Sequence, residues 1–127
     1  MIALDTSSLI AYFAGEKGAD VEAVDLSLAE KQAVFPPVVL TELLSDPILP
    51  LEIRGEIMQI PVLSLEEGYW EKTGLLRAKV IKKGLKAKLA DALIAQNCID
   101  HKVCLITRDH DFRHFEPLGL HVNILDG

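Results

Sequence analysis

The sequence MIALDTSSLIAYF at residues 1–13 determines how the rest of the chain is interpreted. Its apolar run Ile-Ala-Leu stops at Asp5, as expected of a buried parallel strand that ends at a polar residue. Three hydroxyl residues follow at positions 6–8, and any of them can cap a helix that buries Leu9 and Ile10. Ligands bind beyond the carboxyl ends of parallel strands, so this turn is a candidate binding site. Helix capping alone would also explain an acid and hydroxyls here, so the turn by itself does not distinguish a binding site from a helix cap.

Length and composition bound the class of protein. The 127 residues are half hydrophobic, with a mean hydropathy of +0.25, which predicts one folded domain covering residues 1–127. The apolar runs are shorter than the ~20 residues of a membrane-spanning helix, and no secretory signal pattern is present, so we expect a cytoplasmic protein without a membrane partner. Cys98 and Cys104 are the only cysteines. They lie in apolar patterns, which indicates buried free thiols in a reducing compartment rather than a disulfide or a zinc site.

The charge of the chain is acidic overall but unevenly distributed. A net charge of −6 argues against a protein that coats nucleic acid through charge alone. No acid occurs between Glu71 and Asp91, however, and more than half of the thirteen basic residues lie in or beside that interval. They are Lys72, Arg77, Lys79, Lys82, Lys83, Lys86 and Lys88. Such a run is either a solvated helix face or a surface for phosphate groups.

Short apolar runs alternate with segments of helical periodicity along the chain. Strands are expected at 2–4, 33–35, 60–63, 103–106 and 122–125. Beyond the first helix, helices are expected at 20–30, 38–44, 50–58, 64–84 and 88–99. The helix at 64–84 is predicted to begin with a capping box at Ser64 and to bury Leu65. This alternation predicts an α/β fold with a mainly parallel sheet, whose strands end at one common edge.

Three further acids occur where such a sheet would gather them beside Asp5. Asp109 follows the strand at 103–106, two positions after the hydroxyl residue Thr107, so an apolar strand again leads to a hydroxyl residue and an acid, as in the opening stretch. Glu42 is the single charge in an otherwise apolar helix, and charges are rarely buried unless they are paired or metal-bound. Asp91 has alanines four residues before and after it, which leaves room around its carboxylate. Plainer explanations are that Glu42 faces solvent and that Asp91 favours a helix dipole.

Four carboxylates brought together repel one another, so without a cation some must stay protonated or the site must loosen. Oxygen ligands without His or Cys favour a hard cation, Mg²⁺ or Mn²⁺. Such a cation can activate water and stabilise the charge on a phosphodiester under attack, and a neighbouring Ser or Thr can orient metal-bound water. His110 and His114 lack an evident third ligand, so we interpret them as surface residues rather than zinc ligands.

Four blocks of the sequence resemble those of PIN-domain ribonucleases, most of all the small VapC-type toxins of bacterial and archaeal toxin–antitoxin pairs. The blocks are LDTSSLI, TELL, LADALIAQ and LITRDHDF. They contain Asp5, Glu42, Asp91 and Asp109, respectively. The blocks occur in the family's order and spacing, and the resemblance spans the whole chain.

The resemblance implies a four- or five-stranded parallel sheet flanked by helices, and Mg²⁺- or Mn²⁺-dependent cleavage of RNA. The implied catalytic and metal-binding acids are Asp5, Glu42, Asp91 and Asp109. The supporting residues would be Thr6, Ser7, Thr107 and Asp111. Asp111 is also an alternative to Asp109 at the fourth acidic position. Family members usually form dimers and are held inactive by a cognate antitoxin, so a homodimer and an antitoxin partner are expected. If the basic run binds the RNA substrate, the contacts would come from Lys82, Lys83, Lys86 and Lys88.

Two other functions remain open. A receiver-like signalling domain is also α/β with acids at the sheet edge, but it needs a phosphoacceptor Asp after a middle strand and a Lys after a late strand. Here the second strand ends in Pro36 and Pro37, and the late strand ends in Thr107, Arg108 and Asp109. The other alternative is a PIN fold that binds RNA or protein without cutting, which a metal-dependent nuclease assay separates from an enzyme.

Overall fold

A parallel sheet forms the centre of the computed structural model, which describes residues 1–125. The strands of this part of the chain are β1 (Ile2–Leu4), β2 (Ala33–Val34), β3 (Cys104–Thr107) and β4 (Val122–Ile124). They lie in the order β2–β1–β3–β4, and every neighbouring pair is parallel. The α/β fold with a parallel sheet is therefore confirmed, with four strands among the described residues, and β4 is an edge strand as predicted.

Helices occupy the connections between the strands. They are α1 (Thr6–Phe13), α2 (Ala19–Ala29), α3 (Pro37–Leu44), α4 (Leu51–Ile57), α5 (Tyr69–Lys82) and α6 (Leu89–His101). A 3₁₀ helix at His110–Leu118 joins β3 to β4. Among residues 1–125, none of these helices has both the length and the apolar character that crossing a membrane requires.

The central strands carry the core. Leu4 of β1 and Leu105 of β3 are fully buried, and so are Phe35, Phe112 and Phe115 from the surrounding segments. Each such side chain stabilises the fold by roughly 1.5–3 kcal/mol through its removal from water. Because β1 and β3 are buried among helices, their apolar side chains leave no room for charge until the strands end. The first polar side chains therefore come together at the carboxyl edge of the sheet.

The strand predicted at 60–63 is wrong. In the described part of the chain, these residues contribute a single bridge, between Val62 and Phe35. The Phe35 N–H donates to the Pro61 carbonyl (3.1 Å), and the Leu63 N–H donates to the Phe35 carbonyl (3.0 Å). Pairing cannot extend, because Pro61 has no N–H to donate and the prolines that follow Phe35 have none either.

The long helix begins five residues later than predicted. α5 starts at Tyr69, after Gly68 adopts a left-handed conformation with φ 76°. The Ser64 carbonyl is already occupied, because it accepts hydrogen bonds from Asn97 Nδ2 (3.0 Å) and His101 Nε2 (2.8 Å) of α6. The segment before α5 is thus an extended connection fixed to α6. Leu65, predicted to be buried, is 42% exposed there.

The first helix is capped by Asp5 rather than by one of the hydroxyl residues after it. Asp5 is the N-cap of α1, and its side chain accepts a hydrogen bond from the Ser7 N–H. Leu9 is fully buried as predicted, but Ile10 is 56% exposed. An eight-residue helix buries only one narrow face. The hydroxyl groups are consequently available for other contacts, which the carboxyl edge provides.

Candidate active site

Asp5 lies at the centre of a hydrogen-bond network at the carboxyl edge of the sheet. Its Oδ2 atom accepts from Ser7 Oγ (2.7 Å) and from Thr107 Oγ1 (2.8 Å), so the ends of β1 and β3 are joined through one carboxylate oxygen. Asp5 is 4% exposed. Burial raises the pKa of Asp5 above its usual value, and the hydrogen bonds from Ser7 and Thr107 oppose that rise. The capping interpretation and the functional interpretation therefore both apply to this residue.

The turn after β3 places two more acids at the same edge. Asp109 is the N-cap of the 3₁₀ helix, and its Oδ1 atom accepts from the Asp111 N–H (2.9 Å). The Asp109 N–H donates in turn to Thr107 Oγ1 (3.0 Å). The Thr107 hydroxyl thus donates its hydrogen to Asp5, and its oxygen accepts from the Asp109 backbone N–H. One buried hydroxyl fixes the spacing between the first and the last acidic segments.

Three carboxylates form a cluster at this edge. Asp91, Asp109 and Asp111 each offer one oxygen, and these oxygens all lie within 4.8 Å of one another. Asp91 comes from the first turn of α6, whereas the other two come from the turn after β3. The sequence left open whether Asp109 or Asp111 belongs to the site. In the structure both lie with Asp91, and Asp5 and Glu42 lie outside this trio.

The charge of Asp91 is poorly compensated. Its side chain is largely buried, with 9% of the residue exposed. Burial raises the pKa of Asp91 to about 7, and the negative charges of Asp109, Asp5 and Asp111 add to that rise, whereas Lys88 opposes it. Three acids thus act electrostatically on Asp91, and Asp111 takes the place that the sequence had suggested for Glu42. At neutral pH the site without a cation holds a carboxyl group that is only partly ionised.

Glu42 occupies the flank of the site. It lies on α3 and is exposed, in agreement with the plainer explanation of its place in an apolar helix. Its Oε1 atom nevertheless accepts a hydrogen bond from Thr6 Oγ1 (2.7 Å), and Thr6 is the residue next to Asp5. The exposed carboxylate is therefore tied to the strand-to-helix turn. Helix packing brings Glu42 to the border of the acidic edge rather than into the trio.

Part of the basic run faces the acidic edge. Lys86 Nζ lies 3.8 Å from Asp111 Oδ2, and Lys88 precedes α6 close enough to act on Asp91. Two contacts fix this connection: Arg77 Nε donates to the Ala87 carbonyl (2.8 Å), and His114 Nδ1 donates to the Lys86 carbonyl (2.8 Å). Lys82 and Lys83 are exposed at the end of α5. Lys72 is instead paired with Asp100 (2.7 Å).

An ion pair beside the site was not anticipated from the sequence. Asp20, expected only as a residue at the start of a helix, is completely buried in α2. Arg108 donates to both of its carboxylate oxygens, from Nε (2.8 Å) and from Nη2 (3.0 Å). The Arg108 guanidinium holds the pKa of Asp20 below its usual value. Asp20 and Arg108 lie far apart in the chain, so no local sequence pattern reveals that they pair.

A comparison with protein-family models identifies the fold. The model described as PIN domain matches residues 2–116. This range is most of the chain, so the chain belongs to the PIN-domain family. The match removes the receiver-like alternative and agrees with the observed parallel sheet. No curated protein matches the chain significantly.

Solved structures share the fold at low sequence identity. FitAcB from Neisseria gonorrhoeae has a TM-score of 0.73 at 20% identity, and the match covers 96% of this chain and 96% of that chain. VapBC2 from Rickettsia felis, bound to a DNA fragment from their promoter, has a TM-score of 0.70 at 22% identity over 99% and 100% of the two chains. VapBC-5 from Mycobacterium tuberculosis, a member of the VapBC family of toxin–antitoxin systems, has a TM-score of 0.65 at 20% identity over 99% and 98%. At these identities the likeness establishes the fold alone.

The donor set of the trio fits one class of ligand. It consists of carboxylate oxygens, which suit hard divalent cations such as Mg²⁺ and Mn²⁺ and not the sulfur- and nitrogen-preferring metals. A divalent cation would offset the mutual repulsion of these carboxylates, which adds to the effect of burial on the pKa of Asp91. The arrangement can therefore hold a cation at the edge of the sheet, next to an ordered carboxylate at Asp5 and the hydroxyls of Ser7 and Thr107.

The raised pKa of Asp91 makes the metal-free protein less stable as the pH rises. Between the usual carboxyl pKa of 3.8 and the folded-state pKa of about 7, the folded protein holds a proton that the unfolded chain has released. The stabilisation is complete below the lower value and is lost as the pH rises through the higher one. In EDTA, the thermal midpoint of Asp91→Asn should therefore rise relative to that of wild type as the pH increases from about 4 to about 7.

The exposed Glu67 provides the matched control for this measurement. Glu67→Gln removes the same charge away from the site, and its melting curves should follow those of wild type at each pH. If the thermal midpoint of Asp91→Asn stays below that of wild type by a constant amount across this pH range, Asp91 is a purely structural residue.

Proposed function

We propose that the chain is a metal-dependent endoribonuclease whose catalytic centre is the acidic edge of the sheet. The observation that carries this proposal is the trio of Asp91, Asp109 and Asp111, with oxygens within 4.8 Å of one another, beside the buried Asp5 of a PIN domain. A structural role explains one acid at a helix start. It does not explain three converging carboxylates, one of which has a pKa raised to about 7.

The acids have distinct roles in this proposal. Asp91, Asp109 and Asp111 would hold Mg²⁺ or Mn²⁺, and Asp5 would complete the site directly or through a water molecule. Glu42, held by Thr6, would orient water at the border of the site. When bound, the cation supplies an activated water and offsets the charge that develops on the phosphodiester. Ser7 and Thr107 would keep Asp5 in place by their hydrogen bonds to Oδ2.

The basic connection between α5 and α6 would guide RNA to this edge. An acidic centre repels a polyanion, so an adjoining cationic surface is required for approach. Lys86 and Lys88 adjoin the acids, and Lys82 and Lys83 extend the same surface outward. The His114 and Arg77 hydrogen bonds to the backbone of this connection would hold the lysines in position.

Substitution of single acids tests the nuclease proposal. Asp5→Asn and Asp91→Asn should each lower Mn²⁺-dependent cleavage of a labelled single-stranded RNA pool by about 100-fold or more, because each removes a charge that positions the cation. Circular dichroism should remain unchanged. Glu67→Gln should cleave as wild type does.

Full cleavage in excess EDTA, or in either variant, would contradict the proposal. RNA binding without cleavage by the wild type in Mn²⁺ would instead support the alternative of a PIN module that binds without cutting.

The RNA surface has a test of its own in the salt dependence of binding. Lys86→Gln with Lys88→Gln should weaken RNA binding regardless of sequence and flatten the slope of log affinity against log salt, by roughly 0.7 per lost phosphate contact on a single strand. Lys31→Gln with Lys102→Gln is the control. It removes the same charge from residues that precede β2 and β3, at the opposite edge of the sheet. Equal slopes for the two double variants would identify the run as a solvated face.

We further propose that the protein is the toxin of a toxin–antitoxin pair, acting in the cytoplasm as a homodimer. The support is the resemblance to VapC-type toxins together with the fold shared with VapBC-5 and VapBC2. The free thiols of Cys98 and Cys104 agree with a reducing compartment. An antitoxin would reach the acidic edge with a basic side chain, Arg above all, which can pair with the carboxylates and displace metal.

Expression in a bacterial host tests the toxin role separately. Wild type should arrest growth, and the combined Asp5→Asn and Asp91→Asn variant should not. The proposal also expects a small reading frame directly upstream, whose product should relieve the arrest and co-purify with the wild type. Harmless expression of wild type without any co-purifying small protein would remove the toxin role and leave the nuclease proposal standing.

A further inference from the structure

Asp20 is the most completely enclosed charge among the described residues for which burial is given. No part of it is exposed, and three side-chain groups donate to its carboxylate. Arg108 supplies two of them, from Nε to Oδ2 (2.8 Å) and from Nη2 to Oδ1 (3.0 Å), and Ser8 Oγ supplies the third at 2.9 Å. Arg108 also reaches Glu16 from Nη1 (3.3 Å). The two parallel N–H donors match the geometry of a carboxylate, which is the most directional form of ion pair.

The partners of Asp20 belong to the two segments that carry the site. Ser8 follows Ser7, whose hydroxyl donates to Asp5 (2.7 Å). Arg108 lies between Thr107, which donates to Asp5 from its hydroxyl (2.8 Å), and Asp109 of the trio. Asp20 therefore contacts both the turn after β1 and the turn after β3. A single side chain from α2 connects the backbone around Asp5 with the backbone around Asp109.

Stability alone is a weak reason for this arrangement. Removing two charges from water is expensive, and a buried ion pair is often no more stabilising than apolar side chains of similar volume. Val24, one turn further along α2, shows that the helix can also bury an apolar side chain completely. Unlike an apolar contact, the ion pair is directional. Its paired hydrogen bonds orient the planar guanidinium, and so restrain the Arg108 backbone between two residues of the site.

We propose that Asp20 is a positioning residue for the acidic edge, acting through Arg108 and Ser8 on the spacing between Asp5 and Asp109. The expected effect on the affinity for a divalent cation rests on the proposed function. The effect on the spacing between Asp5 and Asp109 does not depend on any metal. In this proposal the Arg108 guanidinium sets the orientation of the turn after β3, and that orientation maintains the hydrogen bond from the Asp109 N–H to Thr107 Oγ1 (3.0 Å).

Two measurements on Asp20→Asn and Arg108→Lys test the inference. Amide hydrogen exchange in EDTA should show that protection of the Asp109 N–H falls by about tenfold relative to amides in β1, since the local opening becomes easier. Calorimetric titration with Mn²⁺ should show an affinity lower by roughly 10- to 100-fold in Asp20→Asn. Arg108→Lys keeps the charge but loses the paired donors, so it should fall between wild type and Asp20→Asn in both measurements.

Asp100→Asn is the matched control, because Asp100 is also a buried carboxylate with one cationic partner, Lys72 (2.7 Å), and one neutral donor, Gln96 (2.9 Å). It should lose thermal stability without a change in Asp109 exchange or in Mn²⁺ affinity. Equal effects of Asp100→Asn and Asp20→Asn, or no effect of Asp20→Asn and Arg108→Lys, would overturn the inference. If Asp20→Asn does not fold, the comparison of Arg108→Lys with Asp100→Asn decides. If wild type binds no Mn²⁺, the proposed function fails, and the exchange measurement still decides the positioning role.

Discussion

Repulsion among carboxylates at the ends of two parallel strands is the constraint on which the rest of the structure depends. Asp91, Asp109 and Asp111 converge within 4.8 Å, and Asp5 is close enough to add to the raised pKa of Asp91. A fold selected for stability alone would separate these charges. They stay together because β1 and β3 are adjacent in the sheet and α6 begins at the same edge.

Hydrogen bonds from neutral groups hold this unfavourable arrangement in place. Thr107 uses its hydroxyl hydrogen on Asp5 and its oxygen on the Asp109 N–H, so it fixes two acids without adding charge. Arg108, the cation that belongs to the turn after β3, is directed away from the trio toward Asp20 and Glu16. Lys86 approaches Asp111 only to 3.8 Å from an exposed connection. Among the described residues, neutral hydrogen bonds thus order the site, while Lys86 and Lys88 offset its negative charge only in part, as a centre that takes up a cation requires.

The sequence predicted those parts of the molecule that depend on local pattern. The strand ending at Asp5 and the one ending near Asp109 are each an apolar run followed within three residues by an acid and a hydroxyl residue, so their place at one edge followed from parallel pairing. The prediction of a strand at 60–63 was wrong because prolines remove the donors that pairing needs. The predicted start of the long helix was wrong because two side chains of α6 donate hydrogen bonds to the Ser64 carbonyl. The Asp20–Arg108 pair joins residues 88 positions apart, and only the assembled fold brings them together.

Titration of the metal-free protein with Mn²⁺ by isothermal calorimetry tests the central claim most directly. Wild type and the exposed-charge control Glu67→Gln should bind with equal affinity. Asp91→Asn, Asp109→Asn and Asp111→Asn should each bind at least about tenfold more weakly, because each removes an oxygen ligand of the trio. Absence of binding by wild type, or equal affinity in all three trio variants and wild type, would contradict the account of the acidic edge as a divalent-cation site.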